Sequence, residues 1–223
     1  MFDTLLDDSQ LSRVENTWKG DEMLARIESN WKTFEKWCDQ LGDRKDTVKG
    51  MVDHFAERAC MAPASSRIEF HNAFPGGFID HSLRVLKYTV DLAATFKVKT
   101  AKESLIISSL FHDWGKVGTL EDDYYLRQES DWHRKRGQFY VNNSKIRMPN
   151  AQLGLFTLSQ FSVKLSEEEY MAVLLNDGQY SDANKQYAMK EPKLALLVHM
   201  ADRWATQCEK GRMTLLDPET PQF

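Results

Sequence analysis

Apolar residues at helical spacing constrain the fold of this chain more than any other feature. Between Asp21 and Leu41 they recur at intervals of three and four, at Leu24, Ile27, Trp31, Phe34, Cys38 and Leu41. That spacing places them on one face of an amphipathic helix. Similar stripes predict helices over residues 46–61, 78–96 and 151–161, and from Pro192 to about Cys208. The chain is therefore expected to be mainly α-helical.

Local signals predict where some of these helices begin and end. Thr100 with Glu103, and Ser166 with Glu169, each match a capping box, in which two side chains satisfy free amides at a helix N-terminus. The first box would start the helix that runs into "SLFHDWG", and Gly115 would end it. Residues 119–148 differ, because aromatic residues flank a polar, glycine-containing middle. That pattern predicts a small β-hairpin or an ordered loop.

These signals together predict an all-α helical bundle with a small β-hairpin or ordered loop insertion around 119–148. Residues 1–62 are expected to form an N-terminal helical extension packed on the main domain. The main domain is expected to span 63–210, and residues 211–223 a C-terminal tail. No internal repeat and no low-complexity segment is recognisable in the sequence.

Composition and charge narrow the class of protein. The chain of 223 residues has 29 Lys and Arg against 33 Asp and Glu, a formal net charge of −4, which argues against a surface that coats duplex nucleic acid. Its three cysteines are widely spaced and form no CxxC pair, which is typical of reduced thiols. No apolar run approaches the length that spans a bilayer. We therefore expect a cytoplasmic protein that binds neither duplex nucleic acid nor a membrane.

Histidine and aspartate side chains interrupt the inward faces of three predicted helices. His112 and Asp113 directly follow an apolar stripe that ends at Leu110, and His81 and Asp202 lie on or beside the core faces of two other helices. Neighbouring helical side chains diverge by about 100°, so both members of an adjacent pair point inward only when they converge on one object. A buried, unpaired carboxylate costs several kcal/mol. One shared cation would satisfy all four side chains.

Each residue taken alone has a simpler interpretation. His81 is compatible with a structural histidine, and Asp202, in a helix that contains Arg203, with one half of an ion pair. A helical structural protein with buried ion pairs is the corresponding alternative function. The combination favours a metal: two imidazoles and two carboxylates suit Mn²⁺, Fe²⁺, Co²⁺, Ni²⁺ or Mg²⁺, unlike the thiolate-rich sets of structural zinc.

These residues resemble a known signature. His81, the pair His112 and Asp113, and the distant Asp202 are similar to the H…HD…D pattern of the HD-domain superfamily of metal-dependent phosphohydrolases. The stretches "FHNAFPGGFIDHSLRVL", "FHDWGK" and "LALLVHMADRW" resemble single-domain bacterial and phage HD hydrolases and the HD domain of exoribonuclease-like proteins. The resemblance covers about residues 70–208. It implies hydrolysis of a phosphate ester or anhydride of a nucleotide or another small phosphorylated metabolite.

The resemblance also implies roles for single residues. Asp113 would be both ligand and catalytic residue, and Lys116 would contact the phosphate, although an ordinary solvated lysine near a helix C-terminus is the alternative. Asn150 and Asn176 stand where relatives with two metals carry histidine, so the pattern favours one ion over two. Asp177 is left either as a ligand for an ion or substrate, or as a turn residue before a glycine.

Further substrate contacts are predicted on weaker grounds. His71 matches a histidine of the related segment, but a turn-stabilising hydrogen bond explains it equally well. His133 and Arg134 belong to a basic run that would offer a positive rim to a polyphosphate or nucleotide, with Trp132 or Tyr140 for stacking. A solvated loop is the alternative. Asn176 is included among the substrate contacts with Asp177, and His199 is treated as structural.

The losses of histidine at Asn150 and Asn176 also leave a second function open. In that interpretation the chain is a catalytically inactive HD module that binds a nucleotide or a metal for a regulatory or docking role. The complete four-ligand set and Lys116 argue for the enzyme.

Overall fold

The computed structural model describes residues 5–217, and it confirms a mainly α-helical chain. Within that span the α-helices and strands are α1 (Asp8–Thr17), α2 (Asp21–Cys38), α3 (Lys45–His54), α4 (Ala56–Met61), α5 (Gly77–Thr95), α6 (Lys102–Phe111), β1 (Tyr125–Arg127), α7 (Asp131–Arg134), β2 (Tyr140–Asn142), α8 (Asn150–Gln160), α9 (Glu167–Leu174) and α10 (Lys193–Glu209). Short 3₁₀ turns lie between several of them, including Trp114–Val117 directly after α6.

Helix α5 lies at the centre of the bundle. It packs against α6 and α10, and α9 closes the bundle against the same two helices. The N-terminal helices join this core: Phe34 of α2 stacks on Trp114 with ring centroids 6.2 Å apart and meets Phe111 edge-on at 5.8 Å. All three rings are fully buried. The packing places the C-terminal end of α6 in the interior, where the HD pair follows. The proposed domain boundaries stay a prediction.

The prediction of a single helix over residues 46–61 is wrong. Two helices, α3 and α4, meet at Phe55, whose backbone leaves the helical region (φ −100°, ψ 5°). The break turns the Phe55 ring into the core, where it is 2% exposed and lies edge-on to Trp114 at 6.0 Å. Burial of a phenylalanine is worth more than the helical hydrogen bonds lost at one joint.

One predicted capping box is confirmed and the other is wrong. Ser166 Oγ accepts from the Glu169 amide at 3.2 Å, and Glu169 accepts from the Ser166 amide at 2.8 Å. Helix α6, in contrast, starts at Lys102 without a side-chain cap. Glu103 faces Arg44 instead, at 3.4 Å, so an ion pair across the molecule replaces the local cap.

Gly115 does not end α6, which stops at Phe111. A Cβ atom on Gly115 would lie 2.1 Å from the backbone oxygen of Asn150. Glycine therefore lets the turn after the HD pair touch the start of α8. That close approach brings Asn150 to the predicted metal site.

The insertion at 119–148 contains the expected small β-element. Strands β1 and β2 are antiparallel and pair Tyr125 with Asn142 and Arg127 with Tyr140. The short helix α7 lies between them, so the connection is longer than a tight hairpin. Among the helices of residues 5–217, none combines the length and the apolar character needed to traverse a lipid bilayer.

Candidate metal centre

The four predicted ligands meet at one point in the fold. His81 comes from α5, His112 and Asp113 follow α6, and Asp202 comes from α10. The Nε2 atom of His81 lies 3.1 Å from Asp202 Oδ1 and 3.3 Å from His112 Nε2. Asp113 Oδ2 lies 3.5 Å from His112 Nε2 and 3.8 Å from His81 Nε2. Two ligands at right angles, each about 2.1 Å from an ion, are about 3 Å apart. The spacing of His81, His112 and Asp113 therefore fits one metal ion, and Asp202 lies next to it through its contact with His81.

Both histidines present the correct nitrogen. His81 Nδ1 lies 2.8 Å from Glu209 Oε2, and His112 Nδ1 lies 2.7 Å from the backbone oxygen of Ser109. Because each Nδ1 has an oxygen acceptor, it carries a proton, which leaves each Nε2 for a second proton or for a metal ion. The two buried Nε2 atoms lie 3.3 Å apart, where lone pairs on both would repel unless a proton or a metal ion lies between them. The tautomers therefore support metal binding.

The surroundings keep the site negatively charged. Burial lowers the pKa of His81, but the carboxylates of Glu209 and Asp202 outweigh burial and raise the pKa to about 10. Burial would raise the pKa of Asp113, yet Lys116 and His112 hold it well below its usual range. The pKa of Asp202 is lowered as well, because its hydrogen bond to His81 outweighs burial. Without a metal ion the surrounding carboxylates therefore keep His81 protonated at neutral pH, and a divalent ion bound to His81 Nε2 would take the place of that proton.

A family comparison agrees with this geometry. The model of the HD domain matches residues 78–206, more than half of the chain and the part that holds all four predicted ligands. The chain belongs to the HD domain family. It is thereby placed in the superfamily of metal-dependent phosphohydrolases, in which HD domains bind divalent metal ions. No curated protein and no solved structure matches the chain.

Two asparagines shape the aspartate of this HD domain. The Nδ2 atoms of Asn150 and Asn176 donate to Asp113 Oδ1 at 2.5 and 3.1 Å, and Asn176 also donates to the backbone oxygen of His112 at 3.0 Å. With Oδ1 held in this way, Oδ2 faces the two histidines. Asn176 is 1% exposed and lies behind Asp113, whereas the sequence interpretation considered it as a substrate contact.

A cavity of about 180 Å³ opens onto the metal centre of the HD domain. Its lining includes Lys116, whose Nζ lies 2.5 Å from Asp113 Oδ2, together with His71, Asp177 and His199. The ring nitrogens of His71 have no hydrogen-bond partner among residues 5–217, so its ring does not make the turn-stabilising bond considered as an alternative. His199, treated as structural from sequence, does make a structural bond: Nδ1 lies 2.7 Å from the backbone oxygen of Asn176.

The basic run of the insertion is placed elsewhere. His133 and Arg134 lie on α7 and are not part of the lining of the cavity at the metal centre. Arg134 pairs with Glu15 at 2.7 Å and also with Asp131. A role of these residues in substrate binding stays a prediction.

Glu209 is the contributor to the HD site that sequence reasoning missed. It is fully buried at the end of α10, where Oε2 contacts His81 and Oε1 lies 2.7 Å from Arg84 Nε. A usable signal existed, because Glu209 follows Asp202 by seven residues, two helical turns on the same face. Only the packing of α10 on α5 shows that this face meets His81.

Proposed function

We propose that this chain is a phosphohydrolase that cleaves a phosphate ester or anhydride of a nucleotide or another small phosphorylated metabolite. The observation that carries the proposal is the convergence of His81, His112, Asp113 and Asp202 beside Lys116, with five distances of 3.1–3.8 Å between their donor atoms. His81, His112, Asp113 and Asp202 would hold the divalent ion. When bound there, the ion supplies Lewis-acid polarisation of phosphorus and lowers the pKa of water.

Lys116 has the position and the charge to stabilise a phosphate. Burial lowers its pKa, but the nearby Asp113 carboxylate outweighs burial and raises the pKa, so the ammonium group is charged at neutral pH. Its Nζ lines the same cavity as the ligands. A cation in that position neutralises the charge that grows on phosphate oxygens in the transition state.

The contacts of Asp113 support a single ion. A carboxylate that bridges two metals uses both oxygens, whereas Oδ1 of Asp113 already accepts from two amides. Asp177 is the remaining carboxylate of the cavity, and burial together with the nearby Asp113 raises its pKa. We therefore assign Asp177 to contact with substrate rather than to a second metal. The mixed nitrogen and oxygen set suits Mn²⁺, Fe²⁺, Co²⁺, Ni²⁺ or Mg²⁺.

A phosphatase screen tests the proposal. Full-length protein is assayed against nucleotides and generic phosphoesters with Mn²⁺, Mg²⁺, Co²⁺ and Ni²⁺, beside His112→Ala, Asp113→Ala and the double variant. We expect each substitution to reduce turnover by about 100-fold or more and to abolish tight metal binding, with an unchanged far-UV spectrum. His54→Ala, at an exposed histidine outside the site, is the matched control and keeps activity.

Two outcomes would contradict the enzyme. Full turnover by the metal-free double variant would separate the activity from this site. Tight nucleotide binding without turnover across the metal panel would select the inactive HD module with a regulatory or docking role.

A further inference from the structure

We infer that a second cavity, which lies between the 119–148 insertion, α4 and the turn after α6, binds the base of a nucleotide substrate. This inference rests on the proposed phosphohydrolase function. The cavity has a volume of about 370 Å³, and its lining includes Lys116, Glu57 and three tyrosines, Tyr124, Tyr125 and Tyr140.

Lys116 connects the two cavities, because it lines both. A phosphate group held between the metal ligands and Lys116 would leave the organic part of the substrate on one side of that lysine. The cavity with the tyrosines borders this lysine. The position of Lys116 therefore directs a substrate with a phosphate at one end and an aromatic group at the other.

The tyrosine rings suit a flat heterocycle. Tyr124 and Tyr125 are edge-on at 5.0 Å, and Tyr125 and Tyr140 are tilted at 6.3 Å, so the three rings of the lining lie in different planes. Every nucleobase has a π-face that stacks on an aromatic side chain, whatever its sequence identity. A sugar phosphate without a base would leave this wall without a partner.

Hydrogen bonds hold the tyrosines in place before any ligand binds. The backbone oxygen of Tyr124 accepts from the Asn143 amide at 2.9 Å, and Asn143 Nδ2 donates to the backbone oxygen of Asp123 at 2.9 Å. Arg58 Nε lies 2.6 Å from Asp123 Oδ1. Gly118, with φ +106°, lets the loop turn back on itself, since a Cβ there would lie 2.2 Å from the Asp122 oxygen. A wall ordered in advance loses little entropy on binding.

Glu57 indicates which bases fit. Its side chain is exposed at the cavity and makes no hydrogen bond or ion pair to the residues in 5–217 that are described. A carboxylate only accepts hydrogen bonds, so it favours bases with an exocyclic amino group over uracil and thymine. Arg58, the neighbouring cation, is already occupied by Asp123 and the Thr119 oxygen.

A competing cavity lies on the other side of the metal centre. It has a volume of about 440 Å³, is lined by apolar residues such as Leu175 and Leu196, and reaches the metal cavity through His199. Among the side chains that the structure describes, its lining includes no lysine, arginine or tyrosine. The aromatic wall and Lys116 both favour the tyrosine cavity.

The experiment measures binding of nucleosides, which carry no phosphate that the enzyme can remove. Adenosine, guanosine, cytidine, uridine and ribose are titrated into full-length protein with Mg²⁺ and followed by saturation-transfer difference NMR. We expect base protons of the amino-bearing nucleosides to be saturated, and ribose to show no binding. Tyr124→Ala should weaken nucleoside binding about tenfold, and Tyr124→Phe should preserve it.

Further variants keep the test decisive. Glu57→Ala changes an exposed residue, so folding is not at risk, and it should reduce binding of the amino-bearing nucleosides to the level of uridine. Tyr170→Ala, at an exposed tyrosine of α9, is the matched control and should change nothing. Far-UV spectra and thermal melts establish that Tyr124→Ala is folded.

The outcomes separate this inference from the proposed function. Absence of nucleoside binding, or binding that neither Tyr124→Ala nor Glu57→Ala alters, overturns the tyrosine cavity. Loss of binding in Leu196→Ser with no change in Tyr124→Ala places the base in the competing cavity and also overturns it. Suppose that nucleosides bind, that Tyr124→Ala and Glu57→Ala weaken this binding, and that the protein shows no phosphohydrolase turnover. This result supports the tyrosine cavity and contradicts only the proposed enzyme function.

Discussion

At the scale of the residue, the two oxygens of Asp113 have separate tasks. Oδ1 accepts from the amides of Asn150 and Asn176, and Oδ2 faces the histidines and Lys116. The amides are neutral donors, so they orient the carboxylate without competing for the ion. The two asparagines, which from sequence suggested a weakened site, thus support its central ligand.

A change of one atom type at Asn176 tests this division. Asn176→Asp keeps the shape but places a second carboxylate about 3 Å from Asp113 Oδ1, where a donor stood. We expect the free energy of unfolding to fall by about 3 kcal/mol, because a buried like-charge contact replaces a hydrogen bond. Urea denaturation in a chelator measures it. Asn16→Asp, at an exposed position, should change stability by about 0.5 kcal/mol or less.

Glu209 is expected to act through His81. A glutamine here is a neutral acceptor with one oxygen for both His81 Nδ1 and Arg84 Nε, so the ring orientation and tautomer of His81 are held less firmly. Glu209→Gln should weaken metal binding by about 10-fold to 100-fold, measured by titration calorimetry, while the helical spectrum is kept. Glu168→Gln, at an exposed carboxylate, is the control. Unchanged metal affinity in Glu209→Gln would limit Glu209 to a structural pair with Arg84.

At the scale of the element, helix α9 is tied to the bundle by its own N-terminal cap. Glu169 closes the capping box with Ser166 and also accepts from Arg44 Nη1 and Ser104 Oγ, each at 2.7 Å. One carboxylate therefore starts α9 and links it to α6 and to the turn before α3. Because α9 leads directly to Asn176, this cap fixes the approach of that asparagine to Asp113.

Substitutions in this cap are expected to lower the free energy of unfolding by different amounts, and the effect of Glu169 is expected to depend on pH. Ser166→Ala should cost about 1 kcal/mol and Glu169→Gln about 2–3 kcal/mol, since the latter also removes the charged bond to Arg44. Burial would raise the pKa of Glu169, but the bonds to Arg44 and Ser166 outweigh it and lower the pKa below 4.5. A carboxylate whose pKa is lowered by folding stabilises the fold at any pH above its unfolded pKa. This stabilisation is lost as the pH falls through the folded pKa.

Denaturation of wild type and Glu169→Gln at several pH values measures this signature. The difference in unfolding free energy should be largest above about pH 4.5 and should shrink in more acidic solution. A difference that does not change between neutral and acidic pH would show that the carboxylate charge contributes nothing.

At the scale of the whole molecule, the N-terminal helices and the HD helices share one hydrophobic core. Phe34 of α2 is fully buried against Phe111 and Trp114, the residues that flank His112 and Asp113. A loss of packing at Phe34 therefore changes the packing next to His112 and Asp113. This continuity predicts that residues 5–217 unfold as one cooperative unit.

Two substitutions on α2 test the shared core. Phe34→Ala should lower the free energy of unfolding by about 3–5 kcal/mol, because it leaves a cavity against Trp114. Leu24→Ala, which the helical stripe placed on the core face, should cost less than about 1 kcal/mol, because Leu24 is 44% exposed. Thermal melts of both variants measure this, and two separate transitions in either would contradict a single unit.

The sequence by itself determined the helical class, the approximate span of most helices and the four side chains predicted as ligands. These follow from local rules, since period and capping depend on neighbours within a few residues, and His112 with Asp113 stands out against the apolar stripe before it. The same rules misplaced Leu24, extended one helix through Phe55 and capped α6 with Glu103, because packing and ion pairs across the molecule outweigh a local preference. Only the tertiary structure decided that Glu209 orients His81, that Asn150 and Asn176 hold Asp113, and that Lys116 borders a wall of tyrosines. Those contacts join residues as many as 128 positions apart, and their energy depends on distance in space, which no local period in the chain encodes.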